Sequence, residues 1–266
     1  MPSPDLYADP YRVERIEECA FYHVMDVPGH GVVGSGWDLR GGEQDYLGHV
    51  DLAGKRVLEI GPASGFLTFY MESQGAEVVA VELAPDADWD VVPQAGLDVQ
   101  AIADERRAGM PQLRNAFWFA HRQHGSAARV HYGSVYDLPD DLGHFDLAVM
   151  CAVLLHTRDP LRIVEQCARL SDQLLVTDMH YPELGELPVM QLVPSAENRE
   201  WDTWWRFSPA LITNFMGVLG FGDPAVTRHE QRFAPEGADL RMPMFTATAT
   251  RAPAAFASMS GTAAVA

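Results

Sequence analysis

Between residues 56 and 177, short apolar runs alternate with stretches whose apolar side chains recur every three or four positions. The runs 56–60, 77–82, 128–132, 145–150 and 173–177 predict five strands. Most are apolar on consecutive positions rather than alternating ones, as strands covered on both faces require. Phe66, Phe69 and Tyr70, followed by Gln74-Gly75, predict a helix after the first run. Residues 113–121 predict a second. Ile163, Val164, Cys167 and Leu170 form one stripe of a third that begins near Pro160. Strand–helix alternation of this kind predicts a parallel sheet with helices on both faces.

The flanks read differently. Tyr11, Val13, Ile16 and Ala20 predict a helix over 9–21, and residues 27–36 are a glycine-rich turn or short hairpin. A helix is predicted over 42–50. Residues 84–110 lack a clear period and read as one long loop, the kind often tied to function. Ser208-Pro209 is an N-cap and first-turn pair, and Leu211, Ile212, Phe215, Met216 and Leu219 follow at helical spacing up to Gly220. Two further strands are predicted at 225–233 and 244–250. The expected fold is therefore α/β, a mostly parallel seven-stranded sheet closed by an antiparallel C-terminal hairpin. Residues 1–50 are expected to cap the substrate side, 51–250 to form the core with an insert at 181–207, and the Ala/Ser/Gly-rich 251–266 to be a flexible tail.

Composition narrows the partners. The 37 Asp and Glu outnumber 19 Lys and Arg, for a net charge of −18, and Lys55 is the single lysine. Nucleic-acid binders draw affinity from basic groups on phosphates, so the balance turns toward a small-molecule substrate. No apolar run nears the roughly 20 residues of a membrane span, and the N-terminus lacks the features of a secretory signal, which makes cytoplasm the default. Cys19, Cys151 and Cys167 are too scattered for a disulfide framework or a paired-cysteine zinc site and read as free thiols. His121 and His124 have a helical spacing but no carboxylate or cysteine pattern beside them; they read as solvent-exposed, and no metal is expected. Assembly into homo-oligomers is left open.

The first strand runs into Glu59-Ile60-Gly61-Pro62-Ala63-Ser64-Gly65, a turn of small residues that lets a ligand approach the backbone. Glu82 ends the second strand, where a carboxylate can accept both hydroxyls of a ribose. A dinucleotide fingerprint needs glycines where Ala63 and Phe66 stand, and a phosphate-binding loop needs a lysine that is absent here. A bare structural turn is the remaining plain alternative. The pattern acidic-x-Gly-x-Gly-x-Gly, followed a helix and a strand later by another acid, matches Glu59, Gly61, Gly65 and Glu82 and departs at Ala63.

On these residues the chain resembles a class I S-adenosylmethionine (SAM)-dependent methyltransferase, with its Rossmann-like fold. More narrowly it is similar to the family of the bacterial tRNA wobble-uridine carboxymethyltransferase and its methyltransferase relatives. The stretches that carry this are Phe21-Tyr22-His23, 36–41, 57–65, 88–90, 153–160 and 204–209. The resemblance implies that Glu59, Gly61, Pro62, Ala63, Ser64 and Gly65 surround the methionine part of SAM. It implies that Glu82 holds the ribose, that Leu83, Ser134 and Val135 line the adenine, and that Cys151 and Ala152 lie beside the sulfonium. Ser134 stands where many relatives have Asp. A carboxymethylated cofactor would need a cation, for which Arg40 is available, but the acidic balance favours ordinary SAM.

Methyl transfer from a sulfonium needs mainly alignment and exclusion of water, with a base for an O or N nucleophile. His23 and His180 are the favoured bases, His156 the third; a structural histidine is the alternative for each, and the more so for His156, whose Leu-His-x-x-x-Pro stretch resembles one common to methyltransferases with different substrates. Tyr22, Trp37, Arg40, Tyr181, Trp204 and Trp205 are candidates for the acceptor pocket, with helix packing the alternative for the tryptophans. The expected activity is methyl transfer to an O or N atom of a small molecule. An RNA-modifying enzyme and a catalytically silent SAM-binding module are the other readings.

Overall fold

The five apolar runs become the five parallel strands of one eight-stranded sheet in the computed structural model, which describes residues 6–235 and 238–252. In chain order the elements are β1 (Met25–Val27), β2 (Gly31–Val33), β3 (Gly36–Asp38), α1 (Glu43–Tyr46), β4 (Arg56–Ile60), α2 (Phe66–Ser73), β5 (Glu77–Leu83), α3 (Val99–His124), β6 (Arg129–Gly133), β7 (Leu147–Cys151), α4 (Pro160–Leu170), β8 (Gln173–Met179), β9 (Met190–Leu192), β10 (Trp205–Phe207), α5 (Pro209–Val218), β11 (Phe221–Ala234) and β12 (Leu240–Arg251). The sheet order is β3-β11-β12-β8-β7-β4-β5-β6. Strands β6, β5, β4, β7 and β8 are parallel; β12, β11 and β3 continue antiparallel. The eighth strand, beyond the seven expected, is β3, a piece of the glycine-rich segment that pairs Trp37 with Phe233 at the edge of β11.

The chain steps outward from β4 to β6, then returns to the other side of β4 as β7. Strand order therefore reverses between β4 and β7, where a crevice opens at the carboxyl ends of the strands. Alternation along each strand divides the core. Leu58, Ile60, Val81, Ala148, Met150 and Val176 pack against Ile163, Val164 and Cys167 of α4 and Ile212 and Met216 of α5. Val57, Val78, Ala80, Leu147 and Val149 pack on the other face against Phe66, Phe69 and Met71 of α2 and Phe117 and Trp118 of α3. Helix starts follow local chemistry: Asp159 caps α4 through the Arg162 amide, with Pro160 in the first turn, and Ser208 caps α5 in the same way ahead of Pro209.

Four expectations change. Residues 9–21 are not a helix; apart from one 3-10 turn at Ile16–Glu18, they lie extended along α3. Ala20 N–H donates to Gln112 O, Tyr11 Oη to Asn115, and the Asn115 amide to Glu18 O. These contacts outweigh a short helix's marginal stability. The helix expected over 42–50 is a single turn, α1. The long loop shrinks to 84–98, because α3 starts at an Asp98 cap and runs 26 residues to a left-handed Gly125, with Pro111 inside it. His121 is buried, its Nε2 on Ala128 O, while His124 stacks on Phe69, so this pair is not the solvent-exposed one expected. Of the expected tail, Arg251 is held by Ala168 O and Ser171 O and Ala252 by Gly220 O; the rest lies outside the described residues. Cys19, Cys151 and Cys167 are free. Among the described residues no helix is long and apolar enough to cross a membrane.

Candidate active site

A cavity of about 610 Å³ occupies the crevice at the carboxyl ends of β4, β5 and β7. Its floor is the turn after β4. Gly61 has φ +72°, and a Cβ there would meet the Val153 Cγ2 at 2.6 Å; Gly65 has φ +89°, and a Cβ would strike the Phe69 ring at 2.6 Å. Neither position accepts a side chain. Ala63, where the motif expects glycine, is also left-handed (φ +50°), as is Ala152 after β7 (φ +50°). Two L-residues held in this region on the floor of one cavity are local strain at the place where a ligand would lie.

Two carboxylates bracket the turn. Glu59 is buried on the α2 side of β4 and accepts from the Thr68 hydroxyl. Burial, reinforced by nearby Glu82, pushes it up to about 8. Glu82 accepts from the Leu83 amide (2.7 Å) and is raised by burial, opposed by that hydrogen bond, by the Ala63 amide and by Arg114. Beside the nearer end of the cavity, Ser134, Val135, Leu83, Met110 and Leu113 form a largely apolar pocket; the Ser134 hydroxyl is taken by the Tyr136 amide.

The other end is aromatic. The 6–24 strap and β3 bring Tyr22, His23 and Trp37, and α1 brings Tyr46. His23 is tied into the site by a bridge to Trp37 and by its amide on Ser64 Oγ (3.4 Å); its Nδ1 is buried without a partner, and burial lowers it to about 4. Over the opening, loop 84–98 and the insert interlock: Val92 N–H donates to Trp201 O, Trp204 Nε1 to Asp90 O, and Asp90 accepts from Tyr136 Oη and the Arg158 amide. Arg106 sits between Trp89 (5.2 Å) and Trp201 (4.4 Å) and reaches Asp202 at 3.4 Å. His156 Nδ1 meets Asp202 O at 2.8 Å.

Of the residues the sequence singles out, Glu59, Gly61, Pro62, Ala63, Glu82, Leu83, Ser134, Val135, Cys151, Ala152, Tyr22, His23, Trp37 and His156 line this cavity. Ser64 and Gly65 lie beneath it, fully buried or nearly so. Arg40 does not line it, because Asp38 and Asp26 hold its guanidinium at the edge of the sheet. His180 and Tyr181 are also outside the lining: β8 runs two residues farther than expected, carrying them past the cavity toward Glu183, Arg206 and Arg228. Trp204 and Trp205 stack on each other and fasten the roof, through Asp90 O and Thr157 O, rather than walling the cavity. Sequence reading missed Tyr46, Arg106, Tyr136 and Asp202. Arg106 and Asp202 carry no local signal, since folding alone brings them together across 96 positions. Lys55 lies at the opposite end of the strands, on Gln173.

A family model described as a methyltransferase domain matches residues 43–216. Ubiquinone biosynthesis O-methyltransferases are similar over about half of this chain. The protein of that name from Xanthomonas oryzae pv. oryzae is 33% identical over 128 residues, 47% of this chain and 43% of that one; that from Hahella chejuensis is 27% identical over 120 residues, 45% of this chain and 40% of that one. The match thus spans less than half the length of these relatives. Among solved structures, the N-terminal domain of EvdMO1 in the presence of S-adenosylhomocysteine (SAH) and D-fucose superposes with a TM-score of 0.56 at 17% identity, covering 86% of this chain and 91% of that domain. The same domain with SAH bound gives 0.53 at 16% identity, over 80% and 82%. By a family match that takes in well over half of its residues, this protein belongs to the methyltransferase-domain family.

Proposed function

We propose that this protein transfers a methyl group from SAM to a hydroxyl oxygen of a small, planar aromatic acceptor. One observation carries the reading: a single cavity joins the Glu59–Glu82 carboxylate pair to the aromatic compartment of Tyr22, Trp37 and Tyr46. Its size lies in the range of about 300–1,000 Å³ that small-ligand sites occupy. The residues fit SAM. A buried acid raised to about 8 is poised for a cation such as an α-ammonium, the Gly61 and Gly65 positions leave the space a Cβ would fill, and Glu82 suits a ribose diol. When bound, SAM supplies a methyl group already activated on sulfur.

The chain's own residues do the rest. Glu59, Gly61 and Ala63 would hold the amino-acid end, Glu82 the ribose, and Leu83, Val135 and Leu113 the adenine. Cys151 and Ala152 border the place of transfer; burial holds the Cys151 thiol protonated, which keeps it from competing as a nucleophile. The cap, from residue 6 to residue 50, and the insert (181–207) cover the acceptor side and exclude water. The ubiquinone biosynthesis enzymes are O-methyltransferases by name, which supports oxygen over nitrogen as the nucleophile.

The resemblance to tRNA wobble-uridine enzymes carries less. Asp88, Asp90 and Asp202 stand around the cavity against one lining arginine, Arg106, which Asp202 already pairs; such a lining repels a polyanion and suits a small acceptor. A silent SAM-binding module would need a blocked methyl end, whereas the aromatic compartment is continuous with the cofactor end. The test is transfer of tritiated methyl from SAM to catechol, 3,4-dihydroxybenzoate and caffeate, with SAM binding followed by calorimetry. SAM binding with methylation of at least one phenol is expected. SAM binding without transfer to any of them would remove the acceptor class, and no SAM binding would remove the whole reading.

A further inference from the structure

Three histidines compete for the base, and their hydrogen-bond partners separate them. A backbone carbonyl can only accept, so the 2.8 Å contact between His156 Nδ1 and Asp202 O requires the proton on Nδ1. In the neutral ring, Nε2 then keeps its lone pair. His156 lines the cavity, between Val153 and Thr157, with the Trp89 ring 6.1 Å away. Nothing comparable orients the others: His23 Nδ1 and His180 Nδ1 are both buried without a hydrogen-bond partner, and His180 stands outside the cavity.

We propose that His156 is the general base, with the Asp202 carbonyl as its positioning partner. This rests on the methyl-transfer reading above. Nε2 takes the proton of the acceptor hydroxyl, and the O–H electron pair stays on the acceptor oxygen, which bonds to the methyl carbon as the methyl–sulfur bond breaks and leaves its electron pair on sulfur. The imidazolium that forms shares its Nδ1 proton with Asp202 O, so the charge develops against a fixed dipole. The arrangement also makes the insert part of the machinery: Asp202 is brought to His156 from 46 residues away, so the base is oriented only when the roof is seated.

A purely structural His156 would show the same contact, and one substitution separates the roles. His156→Asn retains an N–H near the place of Nδ1, able to hold Asp202 O, and removes Nε2. With catechol, 3,4-dihydroxybenzoate or caffeate as probe, this variant is expected to lose about 100-fold or more in kcat, with SAM affinity and melting temperature unchanged. Full kcat in the Asn variant would overturn the proposal. Long-range proton–nitrogen spectra of the SAH complex labelled with ¹⁵N-histidine give a readout free of turnover. They are expected to show the proton of the neutral His156 ring on Nδ1 rather than Nε2, its signal identified by its loss in the variant. A proton on Nε2 would overturn the assignment even if methyl transfer proceeds. No transfer by the wild type to any phenol would instead overturn the acceptor reading, and the spectra would still judge the histidine.

Discussion

Glu82 and Ala63 show how single side chains set the cofactor end. Glu82 accepts from the Leu83 amide and lines the cavity. Glu82→Ala is expected to weaken SAM about 10- to 100-fold, the worth of hydrogen bonds to a charged acceptor; unchanged calorimetric affinity would remove the ribose role. Ala63 breaks the glycine motif in sequence yet takes the left-handed backbone a glycine would take, φ +50°. An L-residue held there costs about 1–2 kcal/mol, and glycine costs back about 0.4–1 kcal/mol through the unfolded chain. Ala63→Gly is therefore expected to stabilise by about 0.5–1 kcal/mol in urea unfolding. Destabilisation would mean that the alanine methyl packs usefully.

The turn between β4 and α2 is both the cofactor floor and a packing joint. Gly65 opens α2 in a left-handed conformation, with the Phe69 and Phe117 rings where a side chain would go. Gly65→Ala is expected to lose about 2–4 kcal/mol of stability, combining backbone strain with overpacking; a loss below about 1 kcal/mol would show that the rings yield easily. The glycine and the strand ahead of it were plain in the sequence, because consecutive apolar residues ended by small ones are a local pattern. Helix α3 was half hidden. Pro111 is a breaker in any local reading, since it removes an amide donor, and the Asp98 cap lies fifteen residues from the recognised stripe. The strap at 9–21 departs from its pattern for the opposite reason: its apolar spacing fits a helix, but the segment is held by contacts with α3.

Across the folded protein, buried acids make stability depend on pH in an unusual direction. Glu59 moves from 4.5 to about 8 and Asp178, also buried, from 3.8 to about 7. Between these limits the unfolded chain is ionised while the folded chain stays protonated, so the folded state binds more protons and stability falls as pH rises. His23 acts oppositely: its drop from 6.5 to about 4 costs stability as pH falls through that window. The apoprotein's melting temperature is expected to decline from about pH 6.5 to 8, and less steeply in Glu59→Gln. SAM is expected to raise it more at pH 8.5 than at pH 6, because a bound ammonium favours the ionised Glu59; at 100 times Kd the gain is about 2.7 kcal/mol. An equal shift at both pH values would separate Glu59 from the cofactor. The sequence alone determined the α/β alternation, the small-residue turn and the acid that follows one strand later, because each is a pattern within a few tens of residues. Tertiary structure alone decided the eighth strand, the exclusion of Arg40, His180 and Tyr181 from the cavity, and the pairing of Arg106 with Asp202. It also decided which histidine is oriented. A side chain's partner, unlike its periodicity, is chosen by residues that only folding brings within reach.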